Sequence, residues 1–167
     1  MTEPPNATLL AIDLGLRTGL ALYGHDCRLR WYRSHNFGNL ARLKRGIYSI
    51  LNDIPNLHYL IMEGGDPYAE RWRREANRRA IPVRQISAEE WRPTLLHERQ
   101  QRTARDAKQH AARLAHQVIT WSSLPQPTSL RHDAAEAILV GAWGLRAVGW
   151  LSQGNDSFPI KFSSHSG

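Results

Sequence analysis

Two short apolar runs that each end on an acid constrain this chain more than anything else in it. Ala7-Thr8-Leu9-Leu10-Ala11-Ile12 leads straight into Asp13, and Leu57-His58-Tyr59-Leu60-Ile61-Met62 leads into Glu63. The first is short, apolar and without helical spacing, which reads as a strand buried in a sheet; the second follows as another. A third acidic place opens the otherwise apolar segment Asp133 to Val140, with Asp133 and Glu136 at its start. A charged group beside such runs risks desolvation, which is costly unless something compensates it.

Period and punctuation order the rest. Gly15 and Gly19 break the chain before Leu20-Ala21-Leu22-Tyr23, a second strand, and the loosely alternating stretch Cys27 to Phe37 supplies a third. Three strands joined by short turns predict an antiparallel meander. Asn39 to Leu51 switches to helical spacing through Leu40, Leu43, Ile47, Ile50 and Leu51. After the fourth strand, Asp66-Pro67 reads as a helix start, with Asp66 as N-cap and Pro67 at the first helical position. That helix, through about Arg79, is short and crowded with arginine. Ile81 to Ile86 is a fifth strand, and Ser87-Ala88-Glu89-Glu90 resembles a capping box opening a further helix. Arg99 to Trp121 reads as a long helix striped by Ala104, Ala107, Ala111, Leu114 and Val118, with Arg99, Arg102 and Arg113 opposite and Lys108 at the border. The last helix spans His132 to Val148. Residues 1–150 are expected to form one domain, and residues 151–167, rich in Ser, Gly and Asn, a flexible C-terminal tail.

At 167 residues the chain can bury a substantial core. Its formal charge is +7, mostly from arginine in Arg71 to Arg79 and Arg84 to Arg105. The planar arginine fork pairs well with phosphate, so the charge points to a polyanionic partner; a basic surface serving solubility is the plain alternative. Cys27 is the only cysteine, which excludes an intramolecular disulfide and a cysteine zinc cluster and fits a reducing cytosol. Residues 1–6 lack the basic and apolar regions of a signal peptide, and no stretch approaches the length of a membrane span. The expectation is a cytoplasmic, nucleoid-associated protein with no membrane partner.

Asp133 and Glu136 stand three apart, so a helix puts both carboxylates on one face. Asp13 and Glu63 meet that face if the first and fourth strands are neighbours. Four convergent carboxylates repel one another and would bind protons in the absence of cations. A hard cation such as Mg²⁺ compensates all four, since it prefers oxygen ligands and keeps waters for chemistry. Two such ions roughly 3.5–4 Å apart would form a clamp for in-line displacement at phosphorus. Each acid also has a simpler reading: Asp13 as a turn aspartate before Gly15, Glu63 as a solvated strand end, and Asp133 with Glu136 as an acidic first turn complementing the helix dipole.

The set Leu10-Ala11-Ile12-Asp13-Leu14-Gly15, Ile61-Met62-Glu63 and Asp133-Ala134-Ala135-Glu136-Ala137 resembles the ribonuclease H-like superfamily, and within it the RuvC-type Holliday junction resolvases. Ser87-Ala88-Glu89-Glu90-Trp91-Arg92 and Ala107-Lys108 add to the resemblance, which covers about Thr8 to Gly144. Asp-x-Gly alone is shared with actin-like ATPases and sugar kinases; the complete ordered set is more specific. The resemblance implies an α/β, ribonuclease H-like fold, with a five-stranded mixed sheet, its first three strands antiparallel, flanked by helices. It implies Mg²⁺ or Mn²⁺, two ions per site, held by Asp13, Glu63, Asp133 and Glu136, with Lys108 as an auxiliary catalytic group stabilising phosphate charge or, on the plainer reading, as a stem lying along the helix border. Glu136 departs from the Asp usual at that position and lengthens one arm. His132, four residues before Glu136, is either an outer ligand or substrate contact, or a plain polar residue.

A second departure concerns assembly. Resolvases of this type commonly pair through a long helix after the fourth-strand glutamate, whereas Tyr68 to Arg79 is short and offers little apolar surface. Arg71, Arg73, Arg74, Arg78 and Arg79, together with Arg102 and Arg105, suit phosphate contact instead. Trp72 either stacks on a base or anchors its helix in the core. The reading is a RuvC-like, structure-selective DNA endonuclease acting on branched DNA such as a four-way junction, with a homodimer left open. The alternatives are a YqgF-like ribonuclease acting on structured RNA and a non-catalytic nucleic-acid-binding module of the same fold.

Overall fold

The structure, a computed structural model, describes residues 3–96, 103–152 and 154–163. The expected meander forms from β1 (Thr8–Asp13), β2 (Arg17–Gly24) and β3 (Leu29–Asn36), paired antiparallel. Helix α1 (Leu40–Asp53) then returns the chain to β4 (Leu57–Glu63), which pairs parallel with β1. Helix α2 (Tyr68–Arg78) leads to β5 (Val83–Ile86), parallel with β4. Three helices complete the described chain: α3 (Ala88–Leu95), α4 (Ala104–Trp121) and α5 (His132–Ala147). The protein is thus α/β, with a five-stranded mixed sheet in the order β3-β2-β1-β4-β5.

Strand alternation splits the core in two. Leu10, Ile12, Leu20, Leu22, Leu60 and Met62 face α1 and α2, where Leu43, Ile47 and Trp72 meet them. Leu9, Ala11, Ala21, Tyr23 and Ile61 face α3, α4 and α5. Both sides of β1 are therefore covered, which is why its sequence is continuously apolar. Helix α5 lies against the sheet and is buried almost all round. Glycines permit that approach. A Cβ on Gly19 would overlap the backbone carbonyl of Asp133, and one on Gly141 would overlap the Tyr23 ring. Tyr23 fastens the helix to the sheet, its hydroxyl donating to the Ile138 carbonyl at 2.5 Å.

Four local expectations change. Pro67, not Asp66, holds the N-cap position of α2, and the Asp66 carboxylate instead accepts from the Glu70 amide at 3.0 Å. On α4 the buried face is His110, Ala111, Leu114, Ala115, Val118 and Ile119, while Ala104 is exposed, because burial starts only at the second turn. The described helix opens at Thr103, whose side chain accepts from the Asp106 amide; Arg99 and Arg102 lie outside the described residues. Finally, the segment read as a flexible tail is docked over its described length. Leu151, Phe158 and Ile160 are buried in the α5-side core, and the Ser163 amide donates to the Thr94 carbonyl at 2.9 Å. Apolar side chains at alternate positions, Phe158, Ile160 and Phe162, outweigh the polar composition around them. Among the described residues, no helix is long and apolar enough to cross a membrane.

Candidate functional site

Asp13 and Glu63 are the last residues of neighbouring parallel strands and are direct partners in register. Side chains alternate across a strand, so both point to the side that Ala11 and Ile61 share, where α5 packs. The Leu14 amide donates to the Glu63 carbonyl at 3.0 Å and holds the two strand ends together beyond the last pair. From the other side, α5 brings Asp133 and Glu136. Asp133 is fixed by Ser34 of β3, whose hydroxyl donates to Oδ2 at 2.7 Å. Glu136 is buried, and its Oε1 receives Arg92 Nη2 at 3.1 Å and His132 Nε2 at 3.0 Å.

Asp13 senses the other three carboxylates. Burial, then the charges of Glu136, Glu63 and Asp133, then a hydrogen bond to Glu63, push the Asp13 carboxyl up to about 8. Every cause acts in the same direction, against the charged form. Glu63 is raised as well, by burial and by Glu136. Arg92, the hydrogen bond from Asp13 and the nearby Trp91 indole oppose that rise. The Trp91 N–H is buried without a partner at hydrogen-bonding geometry, so its pull on Glu63 is electrostatic rather than a formed bond. Without a cation, burial and the neighbouring carboxylates therefore favour the protonated form of Asp13 near neutral pH.

Among the described residues, no group of three or more His, Cys, Asp and Glu side chains forms a ready metal cage. What the cluster offers is oxygen donors with excess negative charge, a donor set suited to a hard divalent cation. Its proton affinity measures how much a cation would relieve. Arg92 and His132 contact Glu136, and the Arg92 charge also acts on Glu63.

Beside Asp133 a cleft of about 680 Å³ opens, lined by Arg17, Ser129, Arg131 and His132. Arg17 and Arg131 are exposed. Sequence spacing did not single out Arg17, Arg131 or Ser34, because each is brought in by tertiary packing. Arg92 carried a signal only as the end of the segment Ser87 to Arg92 and as one of the basic residues from Arg84 to Arg105.

The other expected site residues lie elsewhere. Lys108 is exposed on the early part of α4, and no ion pair links it to the carboxylates, so an auxiliary role has no contact behind it. On α2, Arg74 pairs with Glu70 at 2.9 Å, and Arg78 and Arg79 pair with Glu75 at 3.4 and 3.0 Å. Arg71 donates to the Pro67 carbonyl and Arg73 to Gln85. Trp72 is fully buried and anchors α2, so it does not reach out to a base. Arg105 is exposed, and Arg102 lies outside the described residues. No family model matches the chain, and no curated protein matches it.

Proposed function

We propose that this chain is a RuvC-like, structure-selective DNA endonuclease with a ribonuclease H-like fold, hydrolysing phosphodiester bonds with divalent cations. One observation carries the reading: four carboxylates from three separate elements share one charge-coupled cluster, in which Asp13 is pushed up to about 8. A structural acid pair at a helix start would not recruit two strand ends as well. Asp13, Glu63, Asp133 and Glu136 would hold the cations, and bound Mg²⁺ or Mn²⁺ would supply water activation and charge stabilisation at phosphorus. The chain's own groups set the rest. Ser34 orients Asp133, Arg92 and His132 orient Glu136, and the buried Trp91 lies beside Glu63. Arg17 and Arg131 place positive charge where a phosphate would enter. A homodimer is part of this reading only as far as paired cuts across a junction demand one.

The second reading is a nucleic-acid-binding module of the same fold without turnover. It is favoured by Glu136, whose carboxylate is already engaged by Arg92 and His132. Incubating the protein with a labelled four-way junction, a matching linear duplex and a structured RNA, in Mg²⁺ and in EDTA, separates these. The expected result is metal-dependent cutting of the junction that Asp133→Asn abolishes while binding survives. Cutting confined to RNA would point to a YqgF-like ribonuclease, and binding without cutting in Mg²⁺ and Mn²⁺ would leave the binding module.

A further inference from the structure

The arginines of α2 are engaged with Glu70, Glu75, Gln85 and a backbone carbonyl. At the other edge of the sheet the pattern reverses. Strand β3 is an edge strand, and its register sets Arg33 beside Leu20 and Trp31 beside Leu22. Leu20 and Leu22 face the α1 side, so alternation puts Arg33 and His35 on that side too. Ser34, between them, points the other way, to Asp133. Across from Arg33, α1 presents Arg42 and Arg45, and together they line a groove of about 420 Å³. Arg33, Arg42 and Arg45 are exposed. The Arg33 guanidinium lies 4.1 Å from the centre of the Trp31 ring, and none of the three forms an ion pair among the described residues. Asp53 is the single carboxylate in the lining, so the groove is net positive.

This groove adjoins the acidic cluster. Asn36, in its lining, is the ladder partner of Arg17, which lines the cleft beside Asp133. Directly opposed residues of an antiparallel pair stand about 5 Å apart, so the cleft and the groove have neighbouring lining residues across the β2–β3 pair. We propose that Arg131, Arg17, Arg33, Arg42 and Arg45 form one track for the phosphate backbone of a DNA strand, running from the cleft at Asp133 around the β3 edge to α1. The track rests on the nuclease reading for the identity of the polymer, and on the geometry alone for its course. Guanidinium forks without ion-pair partners suit phosphate oxygens, which they bind two at a time.

The test is fluorescence anisotropy with a labelled four-way DNA junction in EDTA, across a salt series. R33Q/R42Q/R45Q is compared with wild type and with the charge-matched R71Q/R74Q/R78Q, after equal melting temperatures confirm that all three are folded. The groove variant is expected to bind about tenfold or more weaker near physiological salt, with a salt slope shallower by about 2–3. The α2 variant should lose clearly less. Equal losses in the two variants, or none in the groove variant, would overturn the track, as would a larger loss on a matching RNA than on DNA. EDTA removes cleavage from the readout. Binding through the track by a protein that cuts nothing would end the nuclease reading and keep the track. Metal-dependent cutting by a protein whose groove variant binds normally would do the opposite.

Discussion

At Asp13, burial and three neighbouring carboxylates all push the same way, and the carboxyl reaches about 8. An unfolded chain would hold that proton with a pKa of about 4. A group whose folded pKa is raised contributes its stability fully below the unfolded value and loses it as pH climbs through the folded one. In EDTA, the melting temperature of the wild type should therefore fall between about pH 5 and pH 9. Asp13→Asn, which carries no charge at that position, should escape most of the fall. After discounting for screening and for sharing of the charge within the cluster, the difference at high pH is expected to be about 2 kcal/mol, or roughly 4–8 °C. Differential scanning fluorimetry over that range checks it, and parallel pH profiles for the two proteins would count against the coupling. Added Mg²⁺ should reduce the wild-type fall, since a cation offsets the charge that the proton otherwise removes.

Helix α5 is the element on which the site depends, because it carries Asp133 and Glu136 down onto the sheet. Its approach relies on Gly19, where any side chain would overlap the Asp133 carbonyl. Gly19→Ala should cost about 1–3 kcal/mol by overpacking and should displace Asp133 from Ser34. The expected readout is a lower denaturation midpoint together with reduced metal affinity; a variant as stable as wild type would mean that the helix start is freer than its packing implies. The element itself was legible in advance. Asp133 to Val140 is apolar behind its acids, and β1 and β4 are continuous apolar runs, so the pairing of Asp13 with Glu63 followed once the two strands were neighbours. The meander, α1 and the Ser87 capping box followed from local period and local chemistry in the same way. What local pattern could not convey was which distant groups hold the acids. Ser34 sits in an alternating edge strand, and Arg92 is one arginine among many; only the fold brings them to Asp133 and Glu136. Lys108 lies exposed, away from any contact with the carboxylates. Its place on the helical wheel was a border, but α4 becomes buried only from His110 onward.

For the whole molecule, two features of composition misled in opposite directions. The polar C-terminal stretch reads as loose, yet Phe158 and Ile160 join the core and the Trp121 ring meets Phe158 edge-on at 5.3 Å. Ending the chain after Ser152 should therefore cost about 3–5 kcal/mol, the burial of two large apolar side chains. A urea melt would show this as a lowered midpoint, and an unchanged midpoint would mean that the segment is a passive cover. The dense arginines of α2 read as a ready phosphate surface, yet they already have carboxylate, amide or carbonyl partners. Arg17 and Arg131 line the cleft beside Asp133, Arg33, Arg42 and Arg45 line the groove on the α1 side, and none of them forms an ion pair among the described residues. Density along the chain measured charge, whereas availability depended on what each arginine met after folding.

The most direct measurement is a Mn²⁺ titration of metal-free protein at about pH 8, with free ion followed by electron paramagnetic resonance, on wild type, Asp13→Asn and Asp133→Asn. Saturable binding by the wild type, weakened about tenfold or more in each variant, is the predicted result, because each substitution removes one oxygen ligand and part of the charge that draws the cation. No saturable binding by the wild type, or equal binding by all three proteins, would contradict the assignment of the four carboxylates as a divalent-cation site.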